Sequence, residues 1–509
     1  MTSSARDAKR SRAQQALADT LAAERPARSR LARLAVWLSV PTVLAELSSI
    51  AMEYIDAAMV GSLGAGATAS IGLVAATTWL VGGLAAGASM GFTVQIAQCV
   101  GAGMLARARN TLRQGIVALA AFGLLLMAVV IAVSGPLPRW LGGDEAIVAD
   151  ASTYLRIFAF CVPIFAMERL CVGALQASGD MRVPSVLAVA SCVLDVAFNF
   201  LLIFPTRAVT LLGVTFTMPG AGMGVAGAAL GTVLAFAIVT VLLMMATCAW
   251  SPVLALTRSA AAGAGARVAA HAEGAADGDE PRGDEPESWR LTRGCLRAAV
   301  GIATPICVER VVNNGAQIAC TAIVAPLGTV SVAANALAVT AESLCYNPGF
   351  GIGAAATTLV GQSMGAGRRD LAREFARLTT WLGMATMGAA GAVMFFIAPW
   401  VFSLLTPDPA VRELGVAVLR VELIAEPLFG ASIVAAGALR GAGDTLVPAV
   451  INLGSMWVVR VTAAALLAPR LGLMGVWVAM CGELCVRGAL FLVRLYRERW
   501  LRREAVVAR

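Results

Sequence analysis

The sequence predicts an all-α integral membrane protein whose twelve transmembrane helices form two six-helix bundles with the same orientation. Three observations predict this architecture: an apolar composition, a series of apolar segments long enough to cross a bilayer, and an internal repeat. Of the 509 residues, 59% are hydrophobic and only 14% are charged, and the mean hydropathy is +0.79. Soluble domains are about half apolar and about a quarter charged, so the apolar side chains of this chain require a lipid environment.

The apolar segments recur along almost the whole chain, and each reaches the roughly 20 residues that a helix needs to cross a bilayer. Their Ala, Leu, Val and Gly content favours helices, which satisfy their backbone hydrogen bonds internally, over the alternating strands of a barrel. We place the twelve spans at residues 35–61, 66–97, 112–134, 148–176, 182–205, 223–250, 297–324, 331–360, 377–402, 410–438, 446–468 and 473–496.

Basic residues set the predicted orientation of these spans. They cluster in the first tail, in the loops after the second and eighth spans, and at the end of the chain, whereas the loops after the first and seventh spans carry no charge. Because cytoplasmic segments carry an excess of Lys and Arg, both termini are predicted to lie in the cytoplasm. This topology, with attraction to anionic lipid headgroups, explains the net charge of +8 without a nucleic acid partner.

The residue types present give no basis for an enzyme. The eleven cysteines are scattered without a CxxC pair, so we interpret them as small apolar packing residues rather than as disulfides or metal ligands. The one histidine, His271, lies in a hydrophilic segment, and the spans contain no HExxH motif. We therefore expect no catalytic residues, no bound metal and no cofactor.

Equivalent positions in the two copies of the internal repeat are separated by a constant number of residues, the number that separates Met59 from Ile323. We call this separation the repeat offset. A stretch that begins at Met59 and ends in QCVGAG has a counterpart that begins at Ile323 and ends in QSMGAG. Further along the chain, ALQASGDMRVP (174–184) matches ALRGAGDTLVP (438–448) at the same offset. Each copy contains six spans, an even number, so the two copies have the same orientation and are related by a pseudo-twofold axis along the membrane normal.

The repeat divides the chain into two lobes joined by a linker that is too polar to fold, which we predict to be a flexible cytoplasmic segment. Two like-oriented lobes enclose a cleft, and rocking around such a cleft is the usual means of alternating access. Pro163 and Pro427 are candidate hinges for this motion, with static kinks as the alternative. The predicted divisions are a basic cytoplasmic tail (1–34), an N-terminal six-helix lobe (35–250), the linker (251–296), a C-terminal six-helix lobe (297–497) and a cytoplasmic tail (498–509).

Ionisable residues inside the spans mark candidate functional positions, because a charge within a bilayer is costly. On the first span, Glu46, Glu53 and Asp56 fall on one helical face, which must point inward. On the fifth span, Asp195 and Asn199 are one turn apart. At 1.5 Å per residue, Asp56 and Asn199 lie about 7–9 Å from the outer ends of their helices, so a shared pocket is predicted in the outer half of the first lobe.

A buried carboxylate of this kind can couple two transport steps. Burial favours its protonated form and a nearby cation favours its ionised form, so a proton and a cation compete for it. The alternative is a structural network of protonated acids and hydroxyl groups. In the second lobe, Glu309 on the seventh span and Glu422 and Glu426 on the tenth are candidates for a second cation site.

Several stretches resemble the MATE (multidrug and toxic compound extrusion) transporters. YIDAAMVGSLG (54–64) is similar to the end of the first helix in that family, and NPGFGIGAAATTLVGQSMGAG (347–367) resembles its eighth helix and the loop that follows. The resemblance implies an efflux antiporter that exchanges organic cations or amphipathic compounds for protons or sodium ions. It implies that Asp56 is the first-helix carboxylate of the pocket in the first lobe. Asp195 precedes Asn199 here, which departs from a common family pattern in which asparagine comes first.

The resemblance also gives expectations about partners and location. We expect a monomer in the inner membrane of a bacterium, with a small-molecule substrate and the lipid bilayer as its partners. Sodium-coupled members of the family carry acids on the seventh and tenth helices, where Glu309, Glu422 and Glu426 lie, so the coupling ion stays open and we favour the proton. The main alternative is a flippase for lipid-linked precursors, which would need a strongly cationic cavity for its pyrophosphate substrates.

Overall fold

Helices account for nearly all of the described chain. The computed structural model describes residues 12–211, 214–256, 288–502 and 505. The helices of the first half are α1 (Arg12–Ala22), α2 (Arg28–Gly61), α3 (Ala65–Gly101), α4 (Leu105–Val133), α5 (Leu137–Trp140), α6 (Glu145–Ala177), α7 (Arg182–Ile203) and α8 (Gly224–Met245). Those of the second half are α9 (Arg293–Val324), α10 (Thr329–Gly365), α11 (Arg369–Leu405), α12 (Pro409–Glu422), α13 (Glu426–Gly441), α14 (Leu446–Gly454), α15 (Thr462–Leu471) and α16 (Leu473–Tyr496).

These helices make twelve passes, six in each lobe, which confirms the predicted fold class. The first lobe contains α2, α3, α4, α6, α7 and α8. The second contains α9, α10, α11, the pair α12–α13, the pair α14–α15 with the π-helical segment Ser455–Val461 between them, and α16. Among the described residues, nine of these passes are long and apolar enough to cross a membrane by those two criteria. The other three are α9 and α10, which carry more polar side chains, and the interrupted pair α12–α13.

Several helices extend beyond the predicted spans on the side of the molecule that carries both ends of the chain. We call this side the terminal face and the opposite side the distal face. The first span was predicted from residue 35 but α2 begins at Arg28, and the ninth was predicted from residue 377 but α11 begins at Arg369. The extra turns are polar and basic, so hydropathy does not detect them, although a helix continues wherever its backbone hydrogen bonds are satisfied.

The segments between and beyond the lobes contain some regular structure. The region predicted as an N-terminal tail contains α1, and the chain after α16 forms a short 3₁₀ turn in which Trp500 is buried. Residues 257–287 of the predicted linker lie outside the described residues, as does His271. Between α7 and α8 the chain forms an antiparallel hairpin, β1 (Pro205–Leu211) and β2 (Val214–Ala221), which the sequence did not predict.

The two candidate hinge prolines have different surroundings. Pro163 lies inside α6, which continues through it, so one backbone hydrogen bond is lost within the helix. Pro427 lies in the first turn of α13, directly after the break that separates α12 from α13. A proline in the first turn removes no hydrogen bond, because the N–H groups there have no helical partner. A hinge role for either residue stays a prediction.

The two lobes converge toward the terminal face. A Cβ added to Gly83 of α3 would lie 3.4 Å from Cδ of Arg310 in the second lobe, and one added to Gly91 would collide with the carbonyl oxygen of Ala299. Gly72 lies three helical turns from Gly83 on the same face of α3, toward the distal face, and a Cβ there would meet nothing within 4 Å. Along α3, the two lobes are therefore in backbone contact toward the terminal face, whereas α3 has open space beside Gly72 toward the distal face.

The repeated QxxGAG motif brings α3 and α10 into direct contact at the terminal face. A Cβ on Gly101 would collide with the carbonyl oxygen of Gln362, and a Cβ on Gly365 would collide with that of Gln98. Small residues allow two helix backbones to approach this closely. Because the repeat offset takes Gly101 to Gly365 and Gln98 to Gln362, the contact is reciprocal about the pseudo-twofold axis.

The glutamine side chains of the same motif bind the opposite lobe. Nε2 of Gln98 donates a hydrogen bond to the carbonyl oxygen of Gly441 at 3.1 Å, and Nε2 of Gln362 donates one to that of Ala177 at 2.6 Å. Both side chains are buried, and the two acceptors are likewise related by the repeat offset. We call these two bonds the glutamine clasp. They explain why the chain contains the same motif twice: each copy closes the terminal face against the other lobe.

Candidate functional site

A buried polar group in the first lobe joins α2 to α7. Nδ2 of Asn199 donates hydrogen bonds to Oδ1 of Asp56 at 2.9 Å and to Oδ2 of Asp195 at 3.0 Å. Asp195 and Asn199 are fully buried, whereas Asp56 is partly exposed. The structure thus brings together the three residues for which the sequence predicts a shared pocket. We call them the Asp56 group.

The charges of the Asp56 group suit a proton or a cation. No arginine or lysine lies within 4 Å of either carboxylate among the described residues. Two ionised carboxylates that share one neutral amide repel each other, and a proton or cation between them relieves that repulsion. Oδ1 of Asp195 is buried and makes no hydrogen bond to the residues that the structure describes, so one acceptor remains available.

Helix α8 holds the asparagine of this group in place. A Cβ on Gly231 of α8 would collide with Oδ1 of Asn199, so glycine is needed for the two helices to pack as they do. Helix α2 also contacts the second lobe, because the hydroxyl of Tyr54 on α2 donates a hydrogen bond to the carbonyl oxygen of Thr340 on α10 at 2.7 Å. The helix that contributes Asp56 to the group is therefore part of the interface between the lobes.

The other two acids of α2 are distributed along the same helix. Glu53 is exposed, lies one turn from Asp56 and interacts with it electrostatically. Glu46 lies farther along and interacts instead with Glu168 and Arg169 of α6, which form an ion pair with Nε and Oε2 3.0 Å apart. Neither residue is among the candidates predicted from the sequence, although two adjacent charged residues inside a predicted span are enough to indicate a buried ion pair.

In the second lobe, Glu309 is part of an ion pair. Nη2 of Arg440 lies 3.2 and 3.3 Å from its two carboxylate oxygens, and Nδ2 of Asn452 donates a hydrogen bond to it at 2.7 Å. Its charge is therefore compensated within the protein, which weakens it as a ligand for a bound cation. Arg440 is not among the residues predicted to lie inside a span, because the predicted tenth span ends at residue 438, whereas α13 continues to Gly441.

Glu422 and Glu426 lie on either side of the break between α12 and α13. Both side chains are fully buried, and their carboxylate oxygens make no hydrogen bonds to other residues in the described part of the chain. The buried Glu342 of α10 interacts electrostatically with both, and Arg460 interacts with Glu422. The structure thus brings together two of the three candidates for a second cation site, adds Glu342 to them, and places Glu309 with Arg440 instead.

The chain is similar to known membrane transporters along most of its length. A family model described as MatE matches residues 41–201 and 305–466, so it matches once in each lobe, and the starts of the two matches are related by the repeat offset. The probable multidrug resistance protein NorM of Thermotoga maritima is 26% identical over 472 residues, covering 92% of this chain and 93% of that protein. The multidrug resistance protein MdtK of Edwardsiella ictaluri is 24% identical over 483 residues, covering 93% of this chain and 96% of MdtK.

Solved structures support the same fold. The crystal structure of MATE in complex with MaL6 matches with a TM-score of 0.81 at 18% sequence identity, over 96% of this chain and 98% of that one. At this level of identity the likeness concerns the arrangement of helices, which is the two-bundle arrangement described above.

Proposed function

Because the chain belongs to the MatE family, we propose that it is a secondary active antiporter that exports organic cations or amphipathic xenobiotics across a bacterial inner membrane in exchange for protons. The observation that carries this proposal is the Asp56 group, in which Asn199 joins two carboxylates that have no arginine or lysine within 4 Å in the described part of the chain. Two relatives named as multidrug resistance proteins support the substrate class. The flippase alternative is not favoured, since this group is anionic and suits a cation.

The proposed cycle uses the two faces of the molecule in turn. We assign the terminal face to the cytoplasm because the arginine-rich segments lie there. The structure, with its lobes in contact at the terminal face and open space beside Gly72 of α3 toward the distal face, then fits the outward-open state. Rocking of the lobes breaks the glutamine clasp, exposes the cleft to the cytoplasm and closes it outside.

Exchange follows from competition at the Asp56 group. In the outward-open state a proton from outside binds between Asp56 and Asp195, removes negative charge and releases the organic cation. After the lobes rock, the proton leaves to the more alkaline cytoplasm and the restored negative charge attracts the next substrate cation. Sodium is the alternative coupling ion, and Glu422 and Glu426 are the residues that would bind it, because their oxygens make no hydrogen bonds to the residues that the structure describes.

Transport by purified protein in liposomes tests the proposal. Movement of a fluorescent organic cation would be measured with a pH gradient and with a sodium gradient imposed separately, for the wild type, Asp56→Asn and Asp150→Asn. Asp150 is an exposed aspartate of α6, so it is a matched control for loss of one carboxylate. We expect the pH gradient to drive transport by the wild type and the control, and Asp56→Asn to lose nearly all of it.

The outcomes separate the alternatives. If only the sodium gradient drives transport, sodium replaces the proton as the coupling ion, and Glu422 and Glu426 become the residues proposed to bind it. Equal transport by Asp56→Asn and the wild type would remove the Asp56 group from the coupling mechanism. If neither the pH gradient nor the sodium gradient moves any organic cation, the proposed substrate class is contradicted.

A further inference from the structure

Helix α1 is an ordered amphipathic helix at the terminal face, outside both membrane lobes. One side of it is buried and contains Ala13, Gln14, Leu17 and Thr20; Leu17 follows Ala13 by four residues and Gln14 by three and precedes Thr20 by three, as on a single helical face. Leu17 is 1% exposed and belongs to the same cluster of buried apolar side chains as residues of both lobes. A solvated tail would not bury a leucine in this way, so α1 is docked.

The first attachment of α1 is to the turn between α6 and α7 in the first lobe. Nε2 of Gln14 lies 3.2 Å from both the carbonyl oxygen and Oγ of Ser178. A Cβ on the next residue, Gly179, would lie 3.4 Å from Cγ of Gln14. Ser178 directly follows Ala177, whose carbonyl oxygen accepts the Gln362 bond of the glutamine clasp. Helix α1 therefore lies over the closed junction between the lobes.

The second attachment is to the turn between α10 and α11 in the second lobe. The guanidinium group of Arg368 donates hydrogen bonds to three carbonyl oxygens at the end of α1, those of Leu21 at 3.0 Å, Ala23 at 2.7 Å and Glu24 at 3.0 Å. Leu21 lies in the last turn of α1, whose carbonyl groups have no partner within the helix and whose dipole favours a cation, and Ala23 and Glu24 follow directly after the helix.

A neighbouring acid fixes the arginine in this position. Arg368 is also bonded to Asp370, with Nη2 and Oδ2 2.8 Å apart. The hydrogen bonds from Arg368 hold the pKa of Asp370 below its usual value, so the pair stays charged near neutral pH. The repeat offset relates Arg368 to Met104 in the first lobe, which cannot make such bonds. The second lobe alone carries an arginine at this position.

We infer that α1 is a strap that fastens the two lobes together at the terminal face, and that opening of this face requires the bonds between Arg368 and the end of α1 to break. Helix α1 is joined to the first lobe through the short segment that leads into α2 and through Gln14, so it moves with that lobe. The hydrogen bonds from Arg368 to the end of α1 cross to the second lobe. Rocking of the lobes separates the turn between α6 and α7 from the turn between α10 and α11, and α1 cannot remain bound to both turns.

Hydrogen–deuterium exchange on the full chain in lipid nanodiscs tests the strap without any substrate or ion gradient. The variants are Arg368→Ala, Arg368→Lys and Arg369→Ala, the last being an exposed neighbour that removes the same charge from the same turn. In Arg368→Ala we expect at least tenfold faster exchange in α1. We expect the same in the crossing segments, which are the parts of α3 and α10 around Gln98 and Gln362 where the two helices cross. Arg368→Lys keeps the charge but offers fewer directed bonds and is expected to be intermediate, and Arg369→Ala is expected to match the wild type.

A second variant acts on the opposite side of the strap. Leu17→Asp removes the apolar anchor of α1 while leaving Arg368 intact, and the same rise in exchange at the crossing segments is expected. If α1 exchanges faster in both Arg368→Ala and Leu17→Asp but the crossing segments do not, α1 is a passive attachment and the inference is wrong. It is also wrong if Arg368→Ala and Arg369→Ala behave alike. Because exchange is measured without transport, neither result depends on the proposed antiport.

Discussion

The interiors of the two lobes differ in how they compensate buried charge. In the first lobe Asp56 and Asp195 share the neutral amide of Asn199. In the second lobe Glu309 is bound by Arg440, and Glu483 of α16 lies 3.1 Å from Arg487. The Asp56 group of the first lobe therefore keeps negative charge available for a proton or cation, whereas Glu309 and Glu483 of the second lobe are compensated by arginine.

This difference arose on a common scaffold. The repeat offset takes Asp56 to Cys320 and Asp195 to Val459, so these two acids have no acidic equivalents in the second lobe. At the terminal face, in contrast, the repeated glutamines and glycines make the same contacts in both directions. Duplication has preserved the surface on which the lobes meet, while the polar residues inside each lobe have diverged.

The largest effect is expected from breaking the ion pair of the second lobe. Arg440→Met removes the arginine that pairs with the buried carboxylate of Glu309 and leaves it the hydrogen bond from Asn452, and breaking a buried ion pair in this way costs about 3–5 kcal/mol of stability. We expect a large fall in the thermal unfolding midpoint of the detergent-solubilised protein. Asp195→Asn removes a first-lobe acid that has no basic partner, and is expected to leave the midpoint unchanged or to raise it.

A double variant shows whether this loss comes from the charge. Arg440→Met combined with Glu309→Met replaces the pair with apolar side chains and is expected to recover most of the stability, because no charge then remains unpaired. If the double variant is as unstable as Arg440→Met, the arginine contributes through packing. If Asp195→Asn is as destabilising as Arg440→Met, the proposed contrast between the lobes is incorrect.

A smaller effect is expected from displacing the amide of the first lobe. Gly231→Ala places a methyl group where Oδ1 of Asn199 lies, which forces the amide away from Asp56. Overpacking of this kind costs about 1–3 kcal/mol, and we expect proton-driven transport to fall by about tenfold or more because the two carboxylates lose their shared donor. The matched control is Gly72→Ala, whose added Cβ has no neighbour within 4 Å. Transport by Gly231→Ala equal to that of this control would mean that the amide bridge is not needed.

Much of the fold could be predicted from the sequence because hydropathy and the repeat are strong signals. All twelve predicted spans correspond to passes in the structure, and the last begins and ends at the predicted residues 473–496. The proximity of Asp56, Asp195 and Asn199 could also be predicted, because depth in a bilayer follows from residue count along a helix. These features depend on local composition and on the period of the helix.

Features that depend on packing between distant segments could not be predicted. The pairing of Glu309 with Arg440 joins residues 131 positions apart, and the docking of α1 depends on Arg368, which is 344 or more positions from the carbonyl groups that it binds. The break before Pro427 and the continuity of α6 through Pro163 also differ between equivalent spans, so a proline alone does not determine whether a helix is interrupted. In each case the three-dimensional contact, and not the local sequence, decides the outcome.

The smallest effect is expected at the glutamine clasp, where the lobes are most alike. Gln98→Ala and Gln362→Ala each remove a buried hydrogen bond to the opposite lobe, a loss of about 1 kcal/mol. This free energy corresponds to a roughly fivefold shift from the closed toward the open terminal face. We expect the two variants to accelerate hydrogen exchange at the α3–α10 crossing by equal factors, since their contacts are related by the pseudo-twofold axis. Gln317→Ala, at an exposed glutamine of α9, is the control and is expected to have no effect. A clear effect from only one of the two variants would show that the meeting surface has diverged as the lobe interiors have, and that one lobe alone controls closure of the terminal face.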